Sequence, residues 1–70
     1  MTIAAQLHAA SLLLTECAAA ELETWREALV FDRYVGSTNV AARVWPRAEA
    51  SNRLALAAHD AWMNAKEAAR

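Results

Sequence analysis

The residues that could do chemistry in this chain are few, and one pair stands out. Cys17 and His59 would approach each other if the two halves of the chain folded together. A cysteine beside a histidine is the minimum arrangement for a thiolate nucleophile. Cys17, however, lies in a run of Ala and Leu, and no nearby segment offers an oxyanion hole. We therefore expect Cys17 to be a packing residue and not a nucleophile.

The remaining candidates for metal or phosphate chemistry do not have the required spacing. His8, His59 and Asp60 do not form a metal-ligand pattern, and no cysteine-histidine group has the spacing of a structural zinc site. The single glycine cannot build a phosphate-binding loop or a nucleophile elbow. We expect no catalytic residue, no metal and no cofactor, and so a protein that is not an enzyme.

Three arginines of the second half, Arg43, Arg47 and Arg53, could contact phosphates. The net charge of −1 and the sequence pI of about 6.0 argue against a nucleic-acid partner for the chain as a whole. A small dimeric RNA- or DNA-binding regulator that uses these arginines remains the alternative function.

Aromatic and arginine side chains are concentrated near the middle of the chain. Tyr, Trp and Arg are enriched at the energetic centres of protein interfaces. We therefore predict a partner-binding site at Arg33, Tyr34, Arg43, Trp45 and Arg47, whereas neighbouring apolar residues close the end of the helices.

The elements that position these residues are expected to be two helices in one domain, residues 1–70. The chain is 57% hydrophobic, contains one Gly and one Pro, and is rich in the helix former Ala. Apolar residues recur every three or four positions, which predicts a helix over about 2–35, a bend at 36–39 and a helix over about 40–69. Gly36 ends the first helix, residues 37–39 offer N-caps, and Pro46 predicts a kink or break in the second helix.

Folding the two helices back on each other about Gly36 gives an all-α antiparallel hairpin with a testable register. Residues whose numbers add to about 73 would then lie opposite each other. This register places Trp25 against Ala48 and Trp62 against Ser11, so that large residues meet small ones. It also predicts a Glu21–Arg53 ion pair.

Each helix carries a second apolar ridge that a hairpin cannot cover, one at Leu13, Ala20 and Phe31 and the other at Trp45, Leu56 and Met63. Chains of this length obtain little stability from one core, and a two-fold dimer that forms a four-helix bundle covers the ridges most simply. The expected residues of the hairpin or dimer core are Leu7, Leu14, Leu22, Trp25, Leu29, Val44, Leu56 and Trp62.

The start of the chain lacks the basic residues of a signal peptide, and no unbroken run reaches about 18 apolar residues, so we expect a cytoplasmic protein without a membrane span.

In its size, two-helix outline and aromatic and arginine-rich bend, the chain resembles the short helical proteins that bacteriophages make to disable host regulators, such as the anti-quorum-sensing proteins of Pseudomonas phages. The resemblance implies a dimeric inhibitor in the host cytoplasm that blocks a transcription factor or a pilus-assembly ATPase. Together with the missing chemistry, it favours a non-enzymatic protein-binding module, an inhibitor or adaptor, as the function.

Overall fold

The fold is an all-α antiparallel hairpin. In the computed structural model, which describes residues 2–69, α1 spans Ile3–Val35 and α2 spans Val40–Ala68. The two helices pack side by side along their length in a rod of 55 × 15 × 12 Å. The predicted helix boundaries are therefore confirmed to within one residue at each end.

The ends of α1 are closed by the residues next to it in sequence. The Thr2 hydroxyl accepts a hydrogen bond from the Ala5 N–H at 3.1 Å, as an N-cap does. Gly36 ends the helix in the left-handed conformation, with φ of 78°, and its N–H donates to the Asp32 carbonyl at 2.8 Å. Gly36 is thus the residue that stops α1.

The N-terminus of α2 is capped by Asp32 of α1. The Asp32 carboxylate accepts from the Thr38 hydroxyl at 2.6 Å and from the N–H groups of Val40 and Ala41, each at 2.9 Å. These hydrogen bonds lower the pKa of Asp32, because each favours the charged carboxylate. The bond from Thr38 has the largest effect and the bond from Ala41 the next largest. Asn39 holds the N-cap position but makes no side-chain cap bond. A carboxylate across the bend therefore replaces the local cap that the sequence predicts.

Pro46 does not break α2. The helix continues from Val40 to Ala68 with Pro46 inside it, so of the two predicted alternatives, a kink or a short first turn followed by a new helix, the second is wrong. Proline has no N–H to donate to the carbonyl four residues earlier, which is that of Ala42. The packing of α2 along α1 keeps the helix continuous across this missing bond.

The seam between the helices follows a heptad pattern made mostly of small residues. Seam positions alternate at spacings of three and four, and the most buried residues among them are small. In α1 the seam contains Ala4, Leu7, Ser11, Leu14, Ala18, Glu21, Trp25, Ala28 and Asp32; in α2 it contains Ala41, Val44, Ala48, Ser51, Ala55, Ala58, Trp62 and Ala65. The buried members are Ser11, Ala28, Ala41, Ala48 and Ala55. Small seam residues allow the two helix backbones to approach closely.

The register differs from the predicted one by about one turn. Trp25 contacts Trp45 and Trp62 contacts His8, so at these two ring contacts the residue numbers add to 70 and not to 73. At the bend the Asp32 carboxylate binds the N–H groups of Val40 and Ala41, whose numbers add with 32 to 72 and 73. The difference is therefore seen at the ring contacts along the rod and not at the bend.

The predicted Glu21–Arg53 pair is also wrong. Glu21 lies in the seam, and its carboxylate contacts the Arg47 guanidinium at 3.3 Å. Arg53 instead pairs with Glu49, one turn earlier on its own helix. In the observed register Arg47 is the arginine that reaches Glu21, whereas Arg53 points away from the seam.

Candidate protein-binding surfaces

The hairpin buries almost none of its large apolar side chains. Among the described residues no large side chain is fully buried, and fourteen large apolar residues are at least 36% exposed. The accessible surface is 5386 Å², whereas a compact monomer of 7.7 kDa would expose about 4,300 Å². The fold therefore leaves an unusually large apolar surface uncovered.

The seam divides this surface into two opposite faces. We call one the groove face, with the exposed residues Leu12, Leu22, Leu29, Trp45, Leu56 and Met63. We call the other the Leu54 face, with the exposed residues Ile3, Leu13, Phe31, Tyr34, Val40 and Leu54. Helical residues advance by about 100° each, so side chains two positions apart, such as Leu54 and Leu56, point to opposite sides of the hairpin.

The groove face contains an open groove of about 480 Å³. Its floor is formed by three seam alanines, Ala18, Ala48 and Ala55. Its walls and rim are formed by Thr15, Ala19, Leu22, Trp45, Glu49, Asn52, Leu56 and His59. This combination of an apolar floor and a few polar rim groups, at this volume, is typical of binding sites in proteins.

An aromatic cluster lies on the groove face toward the chain termini. The ring of His8 stacks on Trp62, with centroids 4.2 Å apart, and His59 meets the same indole edge-on at 5.6 Å. The Lys66 ammonium lies 5.3 Å from the Trp62 ring centroid, within cation–π range. This cluster fixes Trp62 against α1 and adds positive charge to that end of the face.

The opposite end of the groove is formed by a pair of tryptophans. Trp25, in the seam of α1, contacts Trp45 of α2 with ring centroids 4.9 Å apart and planes tilted by 54°. Trp45 nevertheless remains 42% exposed and lines the groove. It is therefore the aromatic side chain best placed to contact a bound partner.

The structure separates the predicted partner-binding residues. Trp45 lies on the groove face, whereas Arg47 is two positions further and contacts Glu21 on the other side of the seam. Tyr34 is 92% exposed beside the bend, on the same side as Arg43, and Arg33 is exposed on the groove side. These five residues surround the bend and do not form one patch.

The predicted core residues fall into two groups. Leu7, Leu14, Trp25, Val44 and Trp62 lie in the seam and are half-buried. Leu22, Leu29 and Leu56 are exposed on the groove face, and one hairpin does not cover them.

Cys17 is also exposed, so the hairpin alone does not pack it as the sequence predicts. His59 lines the groove, but Cys17 does not. The two residues are not brought together in one site.

The polar chemistry of the described residues is limited. Within residues 2–69 no group of three His, Cys, Asp or Glu side chains is placed to hold a metal ion. Of the three arginines that could contact phosphates, Arg47 and Arg53 are engaged by carboxylates of the chain itself. No observation in this part of the chain favours a nucleic-acid site over a protein-binding one.

One finding differs from the sequence-based expectation about membranes. α1 is long enough and, over an 18-residue window with a mean hydropathy of 1.3, apolar enough to cross a membrane, although the sequence lacks an unbroken apolar run. Only 6% of that window is buried inside the hairpin. One such helix near an N-terminus is weak evidence, because core helices and signal sequences meet the same criterion.

Comparisons with known proteins do not assign the chain to a group. No protein-family model, curated protein or solved structure matches it.

The groove itself was not anticipated from the sequence. Its signal is a second heptad stripe beside the seam, in which Leu22 and Leu29 of α1 face the same side as Trp45 and Leu56 of α2. The stripe can be recognised only once the seam positions are known, because the seam residues are less hydrophobic than their neighbours.

Proposed function

We propose that this chain is a non-enzymatic protein-binding module, a dimeric inhibitor or adaptor that binds another protein and blocks one of its surfaces. The observation that carries the proposal is the pair of uncovered apolar faces on a hairpin in which no large side chain of residues 2–69 is buried. Monomeric soluble proteins rarely expose contiguous apolar patches of this kind unless they bind something. Two faces provide one surface for a second copy and one for a partner.

The groove is the surface proposed for the partner. A groove with a floor of small residues and walls of Leu and Trp fits an amphipathic helix, whose apolar side chains insert between the two walls. The groove lies between the Trp25–Trp45 pair and the aromatic cluster around Trp62, so a short helical segment can lie parallel to α1 and α2. Trp45 and Leu56 are the side chains expected to contribute most to binding.

The charge on the groove face indicates the chemistry of the partner. Arg26, Arg33 and Lys66 lie on this face or along its edge, where the carboxylates are Glu49 and Glu23, which pairs with Arg26 at 3.8 Å. Glu49 is itself paired with Arg53. A partner helix with acidic residues beside its apolar stripe would be complementary in charge, which increases the association rate and the specificity.

The class of the blocked protein is proposed from the resemblance to small phage inhibitors. On that basis the partner is a host transcription regulator or a pilus-assembly ATPase, and the site of action is the host cytoplasm. Covering a functional surface of such a regulator requires no chemistry from the inhibitor.

The experiment is affinity capture from a bacterial lysate with wild-type protein and with Leu56→Glu, followed by direct titration of each captured protein against both. A carboxylate in the groove wall meets an apolar surface and should weaken binding by at least about 30-fold, roughly 2 kcal/mol. The matched control is Ala9→Glu, an exposed change on the outer edge of α1 that should bind like the wild type.

The outcomes separate clearly. A captured protein that binds wild type and Ala9→Glu equally and loses affinity for Leu56→Glu supports the groove as the site. A set of captured proteins that all bind Leu56→Glu as tightly as wild type would refute the proposed site.

A further inference from the structure

We infer that the Leu54 face is the interface between two copies of this chain, packed about a two-fold axis that runs along the hairpin. This inference rests on the dimer in the proposed function and adds which face forms it and in which orientation. In this arrangement both bends lie at the same end, and α1 of each copy packs against α2 of the partner subunit. The groove faces of both copies then remain free for partners.

The orientation follows from the register within one hairpin. The ring contacts of Trp25 with Trp45 and of His8 with Trp62 place residues whose numbers add to about 70 at the same height. A two-fold axis along the rod relates the two copies without changing the height of any residue along the rod. It places α1 of one copy beside α2 of the partner subunit. Each residue of α1 on the Leu54 face therefore meets the residue of α2 in the partner subunit for which the numbers add to about 70.

Side-chain sizes match over residues 6–31 of α1 in this register. Large residues meet small ones and polar residues meet polar ones, which is the condition for close packing between helices. The facing pairs, one from each copy, are Gln6 with Asn64, Ala10 with Ala61, Leu13 with Ala57, Cys17 with Leu54, Ala20 with Ala50, Thr24 with Arg47, Glu27 with Arg43, and Phe31 with Val40. In no pair do two large side chains collide.

The charges match as well. Glu27 is exposed on α1 and Arg43 is exposed on α2, and neither forms an ion pair within the described hairpin. The two-fold axis places Glu27 of one copy at the height of Arg43 of the partner subunit, and symmetry makes the same contact twice. The charge pair lies toward the bend end of the interface, beside the apolar contact of Phe31 with Val40.

The area is also appropriate for a dimer. The hairpin exposes about 1,000 Å² more surface than a compact monomer of its mass. A standard stable interface buries about 800 Å² on each partner. The excess surface of one hairpin is therefore similar to the area that a stable dimer buries on each partner.

Two groove faces would pack less well against each other about the same two-fold axis. Leu22 would meet Glu49 of the partner subunit, and Leu12 would meet His59 of the partner subunit. The comparison therefore favours the Leu54 face for self-association.

The test compares two matched substitutions by sedimentation equilibrium of the full chain. Leu54 and Leu56 are the same residue type on the same helix, with exposures of 58% and 57%, but they lie on opposite faces. Leu54→Glu places a carboxylate against Cys17 of the partner subunit twice per dimer. It should raise the dimer dissociation constant at least about 100-fold. Leu56→Glu should change the dissociation constant less than about threefold.

A second test uses charge reversal, which leaves the fold of each hairpin intact because both positions are exposed. Glu27→Arg alone and Arg43→Glu alone should each weaken the homodimer roughly tenfold, since two like-charged contacts replace two favourable ones. A mixture of the two variants should form heterodimers with wild-type affinity, because every contact then joins opposite charges. Native mass spectrometry of the mixture distinguishes heterodimers from homodimers.

The results separate this inference from the proposed function. Loss of the dimer in Leu54→Glu, retention in Leu56→Glu and rescue in the mixture support the interface. A wild-type dimer that survives Leu54→Glu and is lost in Leu56→Glu overturns the face assignment, while the dimer itself stands. If Leu54→Glu breaks the dimer but the mixture of charge variants does not restore it, the proposed orientation is overturned. If the wild-type protein is a monomer, the dimer in the proposed function is overturned. Circular dichroism verifies that each variant is helical; if Leu54→Glu is not, the charge-reversal pair decides.

Discussion

Replacing Ala28 with Leu tests whether small seam residues set the distance between the two helices. Ala28 is only 6% exposed, and at its height it faces the equally buried Ala41 across the seam. Leu adds three carbon atoms where two alanines already meet, so the helices must separate or the new side chain must adopt a strained rotamer. Overpacking of this kind costs about 2 kcal/mol. In a domain of this size that corresponds to a decrease of about 10 °C in the melting temperature.

The assay is thermal unfolding by circular dichroism at one fixed protein concentration. Ala9→Leu is the matched control, because it makes the same change at an exposed position on the outer edge of α1 and should leave the melting temperature nearly unchanged. If Ala28→Leu melts at the wild-type temperature or above it, the helices are not held together by close contact of alanines, and the description of the seam is wrong.

Three further predictions concern the bend and the proline. Because the pKa of Asp32 is lowered, its ionised form stabilises the hairpin at neutral pH, and this contribution is lost as the pH falls below the ordinary value of 3.8. In urea unfolding, Asp32→Asn should be less stable than wild type at pH 7. Its stability should also change less than that of wild type between pH 7 and pH 3. Gly36→Ala should lower the unfolding free energy by about 1 kcal/mol, because a side chain at φ of 78° is strained even though nothing lies within 4 Å of the added carbon; equal stability in urea would show that the bend adjusts freely. Pro46→Ala should raise the unfolding free energy by roughly 1–3 kcal/mol, because it restores the bond to the Ala42 carbonyl; a less stable variant in the same titration would contradict that reasoning.

The helix boundaries could be predicted because the signals for them are local. Gly36 is the only glycine, and it stands where a run of helical periodicity ends. The alanine content and the spacing of apolar residues then leave no alternative to two long helices. Position-specific signals of this kind depend on the residue and its immediate neighbours, so they can be read without knowledge of the tertiary contacts.

The seam of α1 could not be predicted from hydrophobicity alone. The apolar spacing selects Leu22 and Leu29 as inward residues, whereas both are exposed on the groove face and the seam contains Ala28 beside Leu29. Small or polar residues are in the seam because the helices approach closely there, and the leucines lie on the groove face. A rule that assigns the most hydrophobic residue to the core fails where the contact requires the smallest one.

The cap of α2 was out of reach for a related reason. The Asp32 carboxylate caps α2 from the preceding helix. An aspartate in the last turn of a helix is usually read as a surface charge. Nothing in its sequence neighbourhood distinguishes a cap for the next helix from a solvated side chain.

The two extra apolar ridges were visible in the sequence, but their arrangement was not. The ridge at Leu13 and Phe31 lies on the Leu54 face, and the ridge at Trp45 and Leu56 lies on the groove face. Only the observed seam shows that they are on opposite sides of the rod. That arrangement is what suggests separate surfaces for self-association and for a partner.

The measurement that tests the central claim most directly is the molar mass of the wild-type chain by light scattering during size-exclusion chromatography, over about a hundredfold range of concentration. If the uncovered apolar faces drive association, a helical species of twice 7.7 kDa should predominate at the higher concentrations and dissociate on dilution. A fully helical protein that stays at 7.7 kDa throughout would contradict the account, because its exposed apolar faces would then be stable in water without a second copy.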